Sequence, residues 1–141
     1  YKGGCISLAE FARQKPDRDI LVRLIVKKHE DKSVYLSHRN SKTDFPVLTC
    51  TASLIGEEVR TVIGARPYKA MVVKDEKQIL KNFKNMTRNQ RTQAIADFAS
   101  YAAETVHVDG NMRGSAEYRA LLVRVLTRRA WEAVGGMKNE Y

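Results

Sequence analysis

Cysteine is nearly absent from this 141-residue chain: only Cys5 and Cys50 occur, far apart, which excludes a disulfide framework and the paired spacing of a zinc site. Three prolines and eight glycines are too few for a collagen-like or disordered chain. No apolar run approaches the ~20 residues that span a bilayer, and Tyr1–Phe11 lacks the basic-then-apolar layout of a secretory signal. The phosphate cradles G-x-G-x-x-G and G-x-x-x-x-G-K-[ST] and the nucleophile elbow G-x-S-x-G are all missing. The three histidines, His29, His38 and His107, share no ligand spacing with either cysteine, so they read as surface or loop residues with no metal role. The carboxylates show no pairing suited to acid–base work. A soluble, reduced, cytoplasmic protein with no catalytic constellation and no metal site is the expectation.

What is present is a surplus of positive charge. Twenty-five Lys and Arg against 16 Asp and Glu give +9. The surplus concentrates between Arg60 and Arg91, where nine basic residues face only Asp75 and Glu76, and it reverses from Thr92 to Gly110, where Asp97, Glu104 and Asp109 meet no Lys or Arg. Such a run suits a solvated surface, an acidic partner or nucleic acid. Single-stranded nucleic acid also asks for stacking aromatics, and near this run only Tyr35, Phe45 and Tyr68 could serve.

Hydrophobic patterning orders the chain into strands first and helices afterwards. Ser7 and Glu10 have capping-box spacing and predict a short helix from Leu8 to Arg13, broken by Pro16. Residues 20–28, ILVRLIVKK, alternate an apolar face (Ile20, Val22, Leu24, Val26) with a mixed one, which predicts a half-buried strand before a polar turn at 29–32. Further strands are expected at 33–39, 47–55 and 59–65, the last two joined as a hairpin across Gly56–Glu58. A short helix at 75–83, with Ile79, Leu80 and Phe83 inward, precedes a longer one capped by Thr87 with Ala94, Ile95, Phe98, Ala99, Ala102 and Val106 inward. Ser115 caps a last helix, 116–134, whose apolar stripe is Tyr118, Leu121, Leu122, Val125, Leu126 and Ala130, with Trp131 at the core edge. The class is therefore α+β: an antiparallel sheet of three to four strands, about residues 20–65, covered on one face by helices at about 75–134. Cys50 falls mid-strand on the apolar face, the usual place for an inert thiol. Read from its residues alone, the chain is an interaction or accessory module, with the helix 116–134 as a possible dimerisation surface.

A series of short motifs adds to this reading. Ser7-Leu8-Ala9-Glu10-Phe11, Asp19-Ile20-Leu21, Tyr35 through Arg39 to Asp44-Phe45-Pro46, Ile63-Gly64-Ala65-Arg66-Pro67 with Lys69-Ala70, Gly110 through Ser115, Tyr118-Arg119 and Arg129-Ala130 follow in order. Together they resemble the FAD-binding subunit of the molybdenum hydroxylases, the family of xanthine dehydrogenase and carbon monoxide dehydrogenase. The resemblance covers that subunit's C-terminal portion and implies the fold of the carbon monoxide dehydrogenase flavoprotein C-terminal domain. It implies a fragment of a longer FAD subunit, cut at Tyr1-Lys2-Gly3-Gly4, in which 1–19 trails from the flavin-binding domain and 20–141 form the C-terminal domain. Flavin contacts carry over to two positions, Leu21 and Leu36, and at Leu36 the family's lysine is missing. FAD would belong to the parent subunit, with its pyrophosphate loops upstream and no tight binding to the fragment. The implied partners are the molybdenum-cofactor subunit, the iron–sulfur subunit and the N-terminal part of the FAD subunit, with nucleic acid and membrane demoted. The fragment itself would be no catalyst, because in such enzymes the cofactors carry the redox chemistry.

Overall fold

A computed structural model describes residues 4–15, 18, 20–28 and 31–137. Ser7 opens the short helix α1, Leu8–Phe11, through the expected reciprocal cap with Glu10. Pro16, His29 and the first half of the expected turn at 29–32 lie outside the described residues. The sheet begins at β1, Lys32–His38, and continues through β2, Leu48–Ile55, β3, Glu58–Gly64, and β4, Met71–Val73. The strands lie antiparallel in the order β1-β2-β3-β4.

Alternation decides which face is covered. In β2, Leu48, Cys50, Ala52 and Leu54 are buried while Thr49, Thr51, Ser53 and Ile55 are half-exposed. Across the ladder Val34, Leu36, Thr61, Ile63 and Val73 share the covered side. The β2–β3 turn holds Gly56 at φ +61°, a conformation that a two-residue hairpin loop requires and that a side chain resists.

Two helices cover that face, α2 at Arg88–Thr105 and α3 at Ala116–Val134, with α3 lying on β1 and β2 and α2 packed against α3. Thr87 and Gln90 close the start of α2 as a capping box, and its inward residues are those the spacing predicted, Val106 included. Ser115 caps α3 at the amide of Tyr118.

Three expectations are corrected. Residues 20–28 form no strand, and all are exposed; their alternation describes a strand that joins no sheet among the described residues. The fourth strand is instead β4, whose three residues are too few to show a period and form only because Thr61–Ile63 offer an edge. The helix expected at 75–83 is a series of turns ending in a 3₁₀ turn, Phe83–Asn85. The Asp75 carboxylate accepts from the amides of Ile79 and Leu80 at 2.9 and 2.7 Å, and Gln78 and Asn82 adopt left-handed φ of 54° and 59°. A carboxylate that ties up amides in this way competes with the helix, although Leu80 and Phe83 still reach the core as their pattern predicts.

The third correction is the rotation of α3. Its buried side is Arg119, Leu122, Val123, Leu126, Thr127, Ala130, Trp131 and Val134, turned by about one residue from the expected stripe, so that Tyr118 and Leu121 face outward. Trp131, expected at the edge, is fully buried. Its indole N–H donates to Thr61 Oγ1 at 2.8 Å, and Phe83 and Phe98 meet its ring edge-on at 5.1 and 6.3 Å between centroids.

Trp131→Phe would leave the Thr61 hydroxyl without its donor and open a space beside Phe83. Urea denaturation is expected to show a loss of about 2–3 kcal/mol, the sum of an unmatched buried hydroxyl and a partly filled cavity. A variant as stable as the parent would mean that the indole N–H has no structural role.

Candidate functional site

Polar side chains converge most densely where the end of β1, the 39–47 loop, the 107–115 loop and the start of α3 meet. Arg119 is the hub. It is 1% exposed, and four neutral oxygens hold its guanidinium. Nε donates to the Val47 carbonyl at 3.0 Å, Nη1 to the carbonyls of Asp109 and Gly114 at 2.7 and 2.6 Å, and Nη2 to Asn111 Oδ1 at 2.6 Å. Burial, and then the neighbouring Arg113 charge, lower its pKa from the ordinary arginine value, while Asp109 opposes them. The planar fork explains why arginine stands here: its five donors point in fixed directions, and a single ammonium could not reach acceptors so widely spread.

Around this hub the motif segments are joined. Arg113 pairs with Asp44 at 3.3 Å and lies over the Phe45 ring, Asn40 donates to the Arg113 carbonyl at 3.1 Å, and Tyr118 Oη lies 2.8 Å from His38 Nε2. From the other side, Arg66 donates to the His107 carbonyl at 2.7 Å and Tyr68 donates to the Asp109 carboxylate at 2.5 Å. That carboxylate, by its hydrogen bond and then its charge, raises the Tyr68 pKa. Gly114 admits the loop over the sheet, because a Cβ there would meet Val47 Cγ1 at 3.2 Å. Segments 38–47, 63–69 and 107–119, separate in sequence, thus form one polar clamp. Its hydrogen bonds and ion pairs run mostly to backbone carbonyls and between loops, and its geometry fixes loops.

The two positions singled out for flavin contact are not brought together. Leu21 is 47% exposed in the segment beside α1 and lines an apolar cavity with Leu8 and Phe11. Leu36 lies on the covered side of β1, opposite Cys50, packed against the core. The open side of the sheet carries Ser33, Tyr35 and Ser37 with Thr49, Thr51 and Ser53, and Ser33 and Ser53 hydrogen-bond at 2.7 Å. A dinucleotide needs backbone amides around its pyrophosphate, whereas the long helices here start with side-chain caps of their own, and the glycine-bearing loop ahead of α3 is tied to Arg119 through the Asp109 and Gly114 carbonyls.

The basic run is largely occupied within the chain. Arg60 pairs with Glu58 and Lys84 with Glu57, Lys69 donates to the Ala12 carbonyl, Lys77 lies over the Tyr101 ring, and Arg91 donates to the carbonyls of Phe83, Lys84 and Gly135. Among the described residues no group of three or more His, Cys, Asp or Glu could hold a metal ion, and no helix is long and apolar enough to cross a membrane. Nothing in the local pattern pointed to Arg119 as the hub; the only signal was its place in the Tyr118-Arg119 motif.

These features define an α+β domain, one antiparallel sheet with two helices on one face and a polar clamp at its end. The chain matches the CO dehydrogenase flavoprotein C-terminal domain family over residues 34–134, well over half its length, and belongs to that family. Solved structures share the fold. Quinoline 2-oxidoreductase from Pseudomonas putida 86 superposes with a TM-score of 0.55 at 18% identity, over 78% of this chain and 39% of that one. Carbon monoxide dehydrogenase from Hydrogenophaga pseudoflava, in a form lacking the Mo-pyranopterin moiety of the molybdenum cofactor, gives 0.61 at 16%, over 80% and 39%. The cyanide-inactivated Cu,Mo-CO dehydrogenase gives 0.58 at 15%, over 80% and 40%. This chain thus spans about two fifths of the solved chains it matches. No curated protein matches it in sequence.

Arg119→Met would leave four acceptors facing an apolar side chain. With charged hydrogen bonds contributing about 1.5–3 kcal/mol each and water reaching some of the freed carbonyls, a loss of about 3 kcal/mol is expected, with faster amide exchange confined at first to 107–115. Unchanged exchange in that loop would show that the clamp does not depend on the guanidinium.

Cys50 makes a separate prediction. Burial pushes its thiol up to about 11 from the usual 9.0, partly opposed by the Thr127 hydroxyl at 3.8 Å. Thiol reagents at pH 8 should label exposed Cys5 and spare Cys50 until the chain unfolds. A folded-state pKa above the unfolded one makes the contribution complete below pH 9 and lost as pH rises towards 11, a fall of roughly 2–3 kcal/mol. Comparing Cys50→Ala with the parent across that window isolates the thiol from the lysines and tyrosines, and parallel curves would contradict the assignment.

Proposed function

We propose that this chain is the C-terminal part of the FAD-carrying subunit of a xanthine-dehydrogenase-like molybdenum hydroxylase. Its family match, from Val34 in β1 to the end of α3, is the observation that carries the reading. In the parent enzyme, electrons would leave a molybdenum centre, cross iron–sulfur clusters and reach FAD, which passes them to an acceptor. FAD supplies the two-electron chemistry. This domain supplies placement: it backs the flavin region, with Leu21 as an apolar contact, and presents packing surface to the molybdenum and iron–sulfur subunits. Leucine at Leu36 in place of a lysine removes a cation from the flavin's surroundings, and the core-facing position of Leu36 supports a packing role there. The protein would work in the cytoplasm. Nucleic-acid binding gains no support, because the cations from Arg60 to Arg91 are largely engaged with carboxylates, carbonyls and rings of their own chain.

The isolated 141-residue chain is expected to be colourless and to bind FAD no tighter than about 1 mM, while the complete subunit is yellow. Flavin fluorescence quenching on titration reads this directly. Stoichiometric, tight FAD binding by the isolated chain would overturn the reading, since it would require a pyrophosphate site within these residues.

A further inference from the structure

A groove of about 1570 Å³ runs between α1, the outer edge of β4 and the turns at 75–82. β4 is the last strand of the sheet, so among the described residues no strand pairs with the far side of Met71–Val73. A strand edge in this state presents main-chain donors and acceptors that a further extended segment can take up. Val72, on that edge, is 50% exposed.

Charge is uneven around the edge. Lys69 and Lys74 bracket β4, and Arg13 and Lys81 line the groove with them, all four exposed. The carboxylates that share the groove are already committed: Glu58 pairs with Arg60, Glu57 pairs with Lys84, and Asp75 accepts from the Ile79 and Leu80 amides. Lys69 gives one N–H to the Ala12 carbonyl, and an ammonium carries three. Arg13 and Lys74 form no ion pair among the described residues. The local surplus is therefore positive, and it flanks an edge that asks for an extended chain.

We propose that this groove receives an extended acidic segment of a partner chain, which adds to β4 as a fifth strand and sets its carboxylates against Lys69, Lys74 and Arg13. Main-chain hydrogen bonds supply the affinity of such an addition, and the flanking cations select the partner by charge and speed its encounter. Single-stranded nucleic acid is a poor occupant, because no aromatic ring lines the groove to stack a base. A second copy is a poor one as well. Both chains carry +9, and the chain's own acidic stretch at 92–110 is folded into α2 and the clamp, with Asp109 holding Tyr68. The groove lies within the 141 residues, so its test is independent of the parent-subunit reading given above.

The probe is a capped seven-residue peptide, Asp-Glu-Val-Thr-Val-Glu-Asp, titrated into the 141-residue chain, whose buried side-chain nitrogens and oxygens all find partners among the described residues. Binding with a Kd of about 100 μM at low salt is expected, with slowed amide exchange confined to 70–74. The pair of exposed substitutions Arg13→Glu and Lys74→Glu should weaken it ~10-fold or more, as two attractions become repulsions, while far-UV circular dichroism stays unchanged. Methylation of the two valine amides of the peptide should also cost ~10-fold or more, since it removes main-chain donors and keeps every charge. Equal affinity for the peptide with lysine at its four acidic positions overturns the proposal. So does tighter binding of an eight-nucleotide oligothymidylate, which would make the groove a nucleic-acid site, and so does full affinity of the methylated peptide, which would leave a charged surface with no added strand.

Discussion

A guanidinium buried among neutral oxygens is the constraint on which the rest of this structure depends. Placing Arg119 in the interior is tolerable only if its donors are met, and the acceptors that meet them come from the sheet at Val47 and from the loop at Asp109, Asn111 and Gly114. Meeting them sets the rotation of α3. With Arg119 turned inward, residues three, four, seven and eight positions further on follow it, so Leu122, Val123, Leu126 and Thr127 face the sheet, and Trp131 arrives beneath Thr61. Among the described residues no buried side-chain nitrogen or oxygen lacks a partner.

The same clamp organises the surface. The 107–115 loop receives Arg119 from below, Asp44 and Asn40 from one side and Arg66 and Tyr68 from the other. Short stretches that resemble the molybdenum hydroxylases are thereby gathered at one end of the sheet. Their chemistry is that of ion pairs, ring contacts and hydrogen bonds to backbone, which hold shape. The surfaces the fold leaves exposed are an apolar lane at residues 20–26, a hydroxyl-lined open sheet face and the outer sides of two capped helices.

Electrostatics follow a comparable logic. A net charge of +9 suggests an extended basic face, but folding spends many of the cations on local partners. Arg91 is the clearest example: with three backbone carbonyls as acceptors and the Phe83 ring beneath it, it ties the 3₁₀ turn and the start of α2 to the end of α3. Sequence charge therefore overstates the attraction this surface can exert on a distant partner, because paired and hydrogen-bonded cations project a weaker field.

The linear pattern determined what depends on near neighbours alone. The alternation of Leu48 through Leu54, the Gly56 turn, the caps at Ser7, Thr87 and Ser115 and the apolar spacing of α2 are all local, since each needs only residues within a turn or a strand pair. The short motifs likewise carried the family. Everything that joined distant segments was decided by the tertiary structure. Met71–Val73 became a strand because β3 presented an edge, while the far stronger pattern at 20–28 forms no strand among the described residues. Leu36, singled out beside Leu21, turned out to face the core because strand pairing gave its side chain to the covered side. Arg119 stood out in the sequence only as part of a motif, because its acceptors lie as far as 72 residues away. Hydrogen-bond satisfaction inside a protein is a property of the assembled core, and no count along the chain can register an acceptor that folding has yet to deliver.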